Sequence, residues 1–297
     1  MTSTGHTNTS HSVVVRLKGG LGNQMFQYAS ARGIACRNNM ELVIDNESGF
    51  ARDKVYRRTY SLGQFPITVE FATKLQRAPF LLETAWQRLS PAKHQVFQRP
   101  WGLHVCEMKL ETNAALFSRS LSSSIWLDGY FQTEAYFEDI TDRLSGDFRI
   151  PAPKDRNFLD LAEQLSLGNS VAVGLRLYEE VPNGEWANNP LPFCNQACRE
   201  LAKNLTNPVF YVFCTYDAPQ LKELDLPGEI RLVTHDNGFN GELARLWLLS
   251  RFKYHVFNRS SFYWWGAWLA ERLHTDTRVI ASSEFPPYSL PDRWTVF

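Results

Sequence analysis

The sequence predicts an α/β protein with two domains, each built from helices packed against a parallel sheet. Short apolar runs typical of strands alternate along the chain with longer segments of helical periodicity, a pattern that favours parallel sheets. A length of 297 residues suits two domains, and the segment 151–155 carries two prolines between two patterned regions. We therefore expect a disordered tail over 1–12, an N-terminal domain over 13–150, a C-terminal domain over 151–297 and a cleft between the two domains.

The predicted elements follow in chain order. The β-branched run 13–17 is the first strand, and a glycine turn separates it from a helix over 25–37. Residues 70–104 contain three prolines and predict irregular to helical structure. Residues 124–132 predict a buried strand that runs into a loop. Further strands are predicted over 42–44, 170–177, 209–214, 232–234, 254–257 and 278–281, and further helices over 134–144, 157–167, 193–205, 241–251 and 261–272.

The composition excludes several classes of function. Lys plus Arg and Asp plus Glu both number 31, so no net charge attracts nucleic acid or an anionic membrane. No apolar run has the length of a transmembrane segment, and the first residues lack the apolar core of a signal peptide. Five scattered cysteines make no zinc-binding set, so we expect the reduced, partly buried thiols of a cytoplasmic protein.

The glycine turn is the first candidate for ligand binding. Gly20 and Gly22 let a ligand approach the main chain closely, and the free amides of the next helix suit a phosphate. Asn23 and Gln24 add side-chain amides that donate and accept. A turn that only packs the strand against the helix is an equal alternative. A dinucleotide fingerprint is disfavoured because its third glycine is missing, although Asp45 lies where a ribose-binding acid would.

Two further loops follow predicted strands, where ligands of parallel sheets bind. Arg176 ends an apolar strand, and its planar fork suits a diphosphate. An ion pair between Arg176 and a nearby glutamate is the structural alternative. Ser260 and Ser261 open an aromatic helix, where two hydroxyls can bind a phosphate or simply cap the helix. We expect the tryptophans of that helix in the core.

Three blocks of sequence together resemble one family. They are G-G-L-G-N-Q-M-F-Q-Y-A at 19–29, L-D-G-Y-F-Q-T-E at 127–134 and N-R-S-S-F-Y-W-W-G-A-W at 258–268. In this order they resemble glycosyltransferase family 11, the α-1,2-fucosyltransferases. The resemblance implies a GT-B-like fold, which is two Rossmann-like domains with parallel sheets facing across a cleft. It also implies a GDP-L-fucose donor, inversion at the anomeric carbon and no metal.

The resemblance assigns roles to individual residues. The donor signature of the family, H-x-R-R-x-D, corresponds to G-L-R-L-Y-E at 174–179. Arg176 keeps the first arginine and is expected to bind the donor diphosphate, and Glu179 stands at the aspartate position as the candidate catalytic base. Gly174 and Leu177 replace the histidine and the second arginine. The other residues expected at the donor are Gly20, Gly22, Asn23, Gln24, Asn258, Ser260 and Ser261.

The expected reaction moves L-fucose from GDP-L-fucose to a hydroxyl, the 2-OH of a galactoside, on an oligosaccharide or polysaccharide precursor. The altered signature leaves two alternatives open: a transferase for another GDP-6-deoxyhexose, and a non-catalytic relative that binds carbohydrate or nucleotide. By analogy with the family we expect a bacterial cytoplasmic enzyme of the O-antigen type. Its acceptor could be lipid-linked, with peripheral association at the inner face of the membrane and no nucleic acid partner.

Overall fold

The computed structural model of the protein describes residues 11–51, 53–89, 96–107, 121–165, 169–177 and 189–297. These residues divide into two compact units. Unit 1 comprises the described residues of Met1–Gly19, Asn23–Leu62 and Ile67–Thr141, and unit 2 comprises those of Gly20–Gly22, Gly63–Pro66 and Asp142–Phe297.

Unit 1 is built on a six-stranded sheet with the order β3-β2-β1-β6-β5-β4. All neighbouring strands are parallel except the β4–β5 pair, which is antiparallel. The first strand is buried throughout its β-branched run, as expected of a central parallel strand covered on both faces. The elements are β1 (Ser12–Arg16), α1 (Leu21–Asn38), β2 (Glu41–Asp45), β3 (Glu70–Phe71), α2 (Lys74–Leu89), β4 (Val96–Arg99), β5 (Gly102–Cys106) and β6 (Ile125–Asp128).

Unit 2 is built on a second six-stranded sheet, all parallel, with the order β12-β11-β10-β7-β8-β9. The elements from its start are α3 (Thr141–Asp147), α4 (Arg156–Leu165), β7 (Ser170–Gly174), α5 (Leu191–Ala202), β8 (Val209–Phe213), β9 (Glu229–Val233), α6 (Glu242–Leu249), β10 (Tyr254–Phe257), α7 (Ser261–Ala270), β11 (Arg278–Ala281) and β12 (Thr295–Val296). The predicted α/β class with two mostly parallel sheets is confirmed.

The prediction of irregular to helical structure over 70–104 is correct for the helix but misses the strands. The segment contains β3, α2 and the β4–β5 hairpin, and α2 continues through Pro79. A signal in the sequence supports the start of this helix: Thr73 and Gln76 bond to each other's backbone amides as a capping box. Burial of Phe80 and a 2.9 Å hydrogen bond from Trp126 to the Gln76 carbonyl hold the helix against the sheet despite the proline.

The helix predicted over 134–144 is also corrected. Residues Glu134–Tyr136 and Glu138–Ile140 form two separate 3₁₀ turns, and α3 begins only at Thr141. Thr133 caps the first turn through its side chain, which accepts a hydrogen bond from Ala135. The apolar spacing that predicted one helix therefore serves two tight turns, which are separated by Phe137 in a non-helical conformation (φ −145°, ψ 13°).

In both sheets the strand order reverses beside the first strand of the unit, and we call this position the switch point. In unit 1 the chain runs from β1 to β2 on one side and returns to β6 on the other. In unit 2 it runs from β7 to β8 and returns to β10. Ligands of open α/β sheets bind beyond the carboxyl ends of the strands at this point. The segments after β1, β6, β7 and β10 are therefore where a functional site is expected.

Within the described residues, no helix combines the length and apolar character that a membrane span requires.

Candidate active site

Arg176 and Asn258 meet at the switch point of unit 2. Arg176 lies two residues after β7, and Asn258 follows β10 directly. The Arg176 amide donates to Oδ1 of Asn258 at 2.7 Å, and Nδ2 of Asn258 donates to the Arg176 carbonyl at 2.9 Å. Asn258 is 3% exposed, and both its polar groups serve this pair of bonds. The structure therefore supports a positioning role of Asn258 toward Arg176, and its direct contact with a donor stays a prediction.

Since the sequence resemblance predicts that Arg176 binds the diphosphate of a GDP-linked donor, replacing Asn258 with alanine is expected to weaken GDP binding although the Arg176 side chain is intact. The variant leaves the amide and carbonyl of Arg176 without their partner, which costs about 1–3 kcal/mol of stability. Thermal unfolding and a GDP titration measure the two effects. A variant with unchanged melting temperature and GDP affinity would contradict the positioning role.

Ser260 and Ser261 begin α7 next to this pair. Ser260 is the N-cap residue in extended conformation (φ −149°, ψ 117°), yet its side chain makes no capping hydrogen bond. The capping alternative is thus not what the structure shows. The positive end of the helix dipole and two half-buried hydroxyls lie together at the carboxyl edge of the sheet. Such an arrangement can bind a phosphate. The expected core position of the helix's tryptophans is confirmed, because Trp264, Trp265 and Trp268 are fully buried.

Gly174, which stands where the family motif has histidine, lies against an aromatic ring. A Cβ atom built on Gly174 would lie 2.4 Å from Cγ of Tyr263. The Tyr263 hydroxyl donates to the Phe213 carbonyl at 2.8 Å and to the Leu175 carbonyl at 3.3 Å. The ring of Tyr263 therefore occupies the space that a side chain at position 174 would need.

Contacts with residues of α7 hold the glycine turn in position. Gly20–Gly22 groups with unit 2, where the Trp265 indole donates to the Gly22 carbonyl at 3.0 Å. A Cβ atom on Gly22 would lie 2.6 Å from the Phe262 nitrogen. The close approach that Gly22 permits is thus to the start of α7. Gly20 is half-buried, and a donor contact at either glycine stays a prediction.

The two amides after the glycines differ in what they offer. Gln24 is fully buried, donates to the Gly19 and Thr59 carbonyls at 2.9 Å, and accepts from the Ser61 amide at 2.8 Å. The protein itself uses this amide, so Gln24 fixes the turn. Asn23 is half-buried and accepts from Gln132 at 2.8 Å. Its contact joins the segments that follow β1 and β6, at the switch point of unit 1.

That same edge of unit 1 carries charged residues that the sequence analysis missed. Arg16 and Lys18 contact the Asp128 carboxylate at 3.1 and 2.8 Å. Burial opposes ionisation of Asp128, but the two cations outweigh it and hold the pKa of Asp128 below its ordinary value. The available signal was register: Arg16 and Asp128 end adjacent parallel strands.

The predicted ribose-binding acid, Asp45, and the predicted base, Glu179, remain to be placed. Asp45 is fully buried and accepts hydrogen bonds from the Glu47 and Ser48 amides, so it closes a turn and offers no ribose contact. This removes the remaining support for a dinucleotide site. Glu179, the candidate base, lies in 178–188, outside the described residues.

Comparisons with known proteins identify a relative that matches most of the chain. No protein-family model matches. The chain is 29% identical over 276 residues to the alpha-1,2-colitosyltransferase of Escherichia coli, covering 86% of this chain and 87% of that protein. This protein is similar to a glycosyltransferase along most of its length.

The fold comparison agrees with the GT-B-like prediction. A mutant of Arabidopsis thaliana FUT1, solved in complex with GDP, superposes with a TM-score of 0.56 and 14% identity. The match covers 96% of this chain and 74% of that chain. The fucosyltransferase NodZ from Bradyrhizobium matches at a TM-score of 0.46 and 17% identity, over 87% of this chain and 93% of that chain.

Proposed function

We propose that the protein is a glycosyltransferase that uses a GDP-activated deoxy sugar and makes an α-1,2 linkage to a glycan hydroxyl. The observation that carries the proposal is the similarity to a colitosyltransferase over 86% of the chain. The arrangement of Arg176, Ser260 and Ser261 at the switch point of unit 2 supports it, because a diphosphate needs a guanidinium and oriented donors at such an edge. The three blocks that resemble family 11 support the same reaction.

The proposed chemistry follows from the charge that develops during transfer. As the bond from C1 to the phosphate oxygen breaks, its electron pair leaves with GDP and the sugar gains oxocarbenium character. Arg176 and the donors at the start of α7 would stabilise the growing negative charge. These groups can stabilise the charge without a metal ion, so we propose that transfer needs no metal. The acceptor hydroxyl attacks the opposite face of C1, which inverts the configuration.

The sugar itself is the finer part of the proposal. The sequence motifs favour L-fucose and the 2-OH of a galactoside, whereas the curated relative transfers colitose, which is fucose without its 3-hydroxyl. Both sugars lack the 6-hydroxyl, so a pocket for either has an apolar contact at that carbon. The 3-hydroxyl decides between them: a site that hydrogen-bonds it rejects colitose, because the protein's own polar group would be left unpaired.

A transfer assay tests the proposal. We expect GDP to be released from GDP-L-fucose or GDP-colitose only when a galactoside is present, and little from GDP-mannose, whose 6-hydroxyl meets the apolar contact. EDTA is expected to leave the rate unchanged, with a metal-dependent transferase as the positive control for chelation. Tight GDP binding without transfer to any galactoside would favour the non-catalytic alternative. Absence of GDP binding would refute the proposal altogether. A lipid-linked acceptor at a membrane is a further prediction of the family resemblance, and lipid-linked galactosides belong in the acceptor panel.

A further inference from the structure

Glu107 lies at the carboxyl edge of the unit 1 sheet, directly after β5. Strand β5 pairs with β6 in parallel, with Cys106 opposite Asp128, and the Glu107 amide donates to the Asp128 carbonyl at 3.0 Å. Glu107 therefore extends the edge formed by the segments after β1 and β6. This is the edge where a ligand of the unit 1 sheet is expected.

The loop after β6 is shaped around the Glu107 carboxylate. Its Oε2 atom accepts hydrogen bonds from the Tyr130 amide at 2.9 Å and the Phe131 amide at 2.5 Å. Phe131 adopts a left-handed conformation (φ 51°), which is costly for a non-glycine residue. Gly129 makes room, since a Cβ atom there would lie 2.4 Å from the Glu107 Cβ. The protein thus maintains a strained turn that fixes the position of one carboxylate oxygen.

The second oxygen is placed differently. Within the described part of the chain, no hydrogen-bond donor reaches Oε1 of Glu107, and the side chain is half-buried. The adjacent Asp128 instead has both oxygens in ion pairs, with Arg16 and Lys18. Two neighbouring carboxylates therefore differ: one is neutralised by cations, and the other has one anchored oxygen and one that can accept a proton.

The electrostatic surroundings agree with this geometry. Burial raises the pKa of Glu107 to about 7, against the lowering effect of the Phe131 and Tyr130 amides and of Lys18. Among the residues that the structure describes, the charged groups beside it are Lys18, from the segment after β1, and Asp128, at the end of β6, which is itself paired with Lys18. Paired carboxylates whose pKa values are pushed apart commonly divide catalytic roles between them. A base with a pKa near 7 is well matched to neutral pH.

We propose that Glu107 binds the acceptor hydroxyl through Oε1 and takes its proton during transfer. The inference rests on the proposed function. In the step, the acceptor oxygen forms a bond to C1, the bond from C1 to the phosphate oxygen breaks with its electron pair leaving on GDP, and the hydroxyl proton moves to Glu107. The ring of Tyr130 is 36% accessible, with the Lys18 ammonium 5.2 Å from its centroid, and its exposed part offers a stacking surface for an acceptor sugar. Glu107 thereby takes the role that the sequence motif suggests for Glu179.

The Glu107→Gln variant tests the inference. Its side-chain oxygen can still accept from the two amides, so the loop is expected to keep its shape, but it cannot take a proton. We expect kcat to fall about 100-fold or more, GDP affinity to stay unchanged, and the rise of kcat/KM with pH near 7 to disappear. The matched control is Glu70→Gln, the same change on the exposed edge strand β3 of this unit, which should behave as the wild type. Glu179→Gln, assayed beside it, should keep the rise of activity with pH.

Unfolding measurements separate this inference from the proposed function. The folded state binds the Glu107 proton more tightly than the unfolded state does. Protonation of Glu107 therefore stabilises the fold fully below about pH 4.5, and this stabilisation is lost as pH rises through about 7. Wild type should therefore lose stability relative to Glu107→Gln across this window, whether or not any sugar is transferred. If the wild type loses stability over this pH window but transfers no sugar, the proposed function is wrong and so is the assignment of Glu107 as the base. Normal transfer with a normal pH profile in Glu107→Gln overturns the assignment of Glu107 alone.

Discussion

Replacement of Arg176 by alanine is expected to lower kcat/KM for sugar transfer about 10³-fold while the protein stays folded. The guanidinium is the group proposed to stabilise charge on the departing GDP, and nothing else in the motif segment 174–177 carries a positive charge. The fold should tolerate the change because Asn258 holds the main chain of Arg176, and those two bonds do not involve the arginine side chain. Steady-state kinetics, a GDP titration and thermal unfolding together measure the effect.

Two further variants sharpen the result. Arg176→Lys keeps the positive charge but loses the planar fork of the guanidinium. Activity well above that of Arg176→Ala would show that the charge alone suffices, and activity as low as that of Arg176→Ala would show that bidentate binding is needed. Arg278→Ala removes an exposed arginine at the start of β11 in the same unit and should leave transfer unchanged. Near-normal transfer by Arg176→Ala would remove the donor assignment.

Replacement of Gly174 by alanine is expected to destabilise the protein by about 2 kcal/mol, the usual cost of forcing an extra group into a packed core. The added Cβ would overlap the base of the Tyr263 ring, which hydrogen bonds to two carbonyls hold in place. The histidine of the family motif would need still more room, so Gly174→His should not restore a family-like site. Denaturant or thermal unfolding measures the loss.

Gly146→Ala is the matched control. Gly146 lies in α3 with no atom within 4 Å of an added Cβ, so alanine should stabilise that helix slightly. Equal stability of Gly174→Ala and wild type would show that Tyr263 moves aside easily. The histidine position could then be filled, and the altered motif would have no steric cause.

The order of strands and helices was largely predictable because the central strands of both sheets are buried on two faces. Strands such as 254–257 and 278–281 are mostly apolar, and their observed bounds match the prediction. The prediction for 70–104 was incomplete for a different reason. Pro79 predicts a break by local rules, but the packing of Phe80 and Trp126 outweighs the lost hydrogen bond. Only contacts distant in sequence supply that stabilisation.

The residues of the candidate site were predictable where the apolar run just before them in the sequence marks the end of a strand. Arg176 and Ser260 were found because each lies at or just beyond the end of an apolar run, and the sheet topology brings their segments to one edge. The role of Asn258 was not predictable, because its partner is 82 residues away in sequence. Glu107 was missed for the same reason: the turn that fixes it belongs to another strand.

By itself, the sequence determined the α/β class, the glycine turn and the residues that mark a resemblance to sugar transferases. These depend on local backbone preferences and on the period of apolar residues, which a single chain displays directly. The tertiary structure alone decided which polar groups the protein uses internally and which it leaves for a ligand. Gln24 and Asn258 are taken up by neighbouring main chain, whereas one oxygen of Glu107 is not bonded by any described residue. The physical reason is that hydrogen-bond satisfaction depends on distances between segments, and folding alone sets those distances.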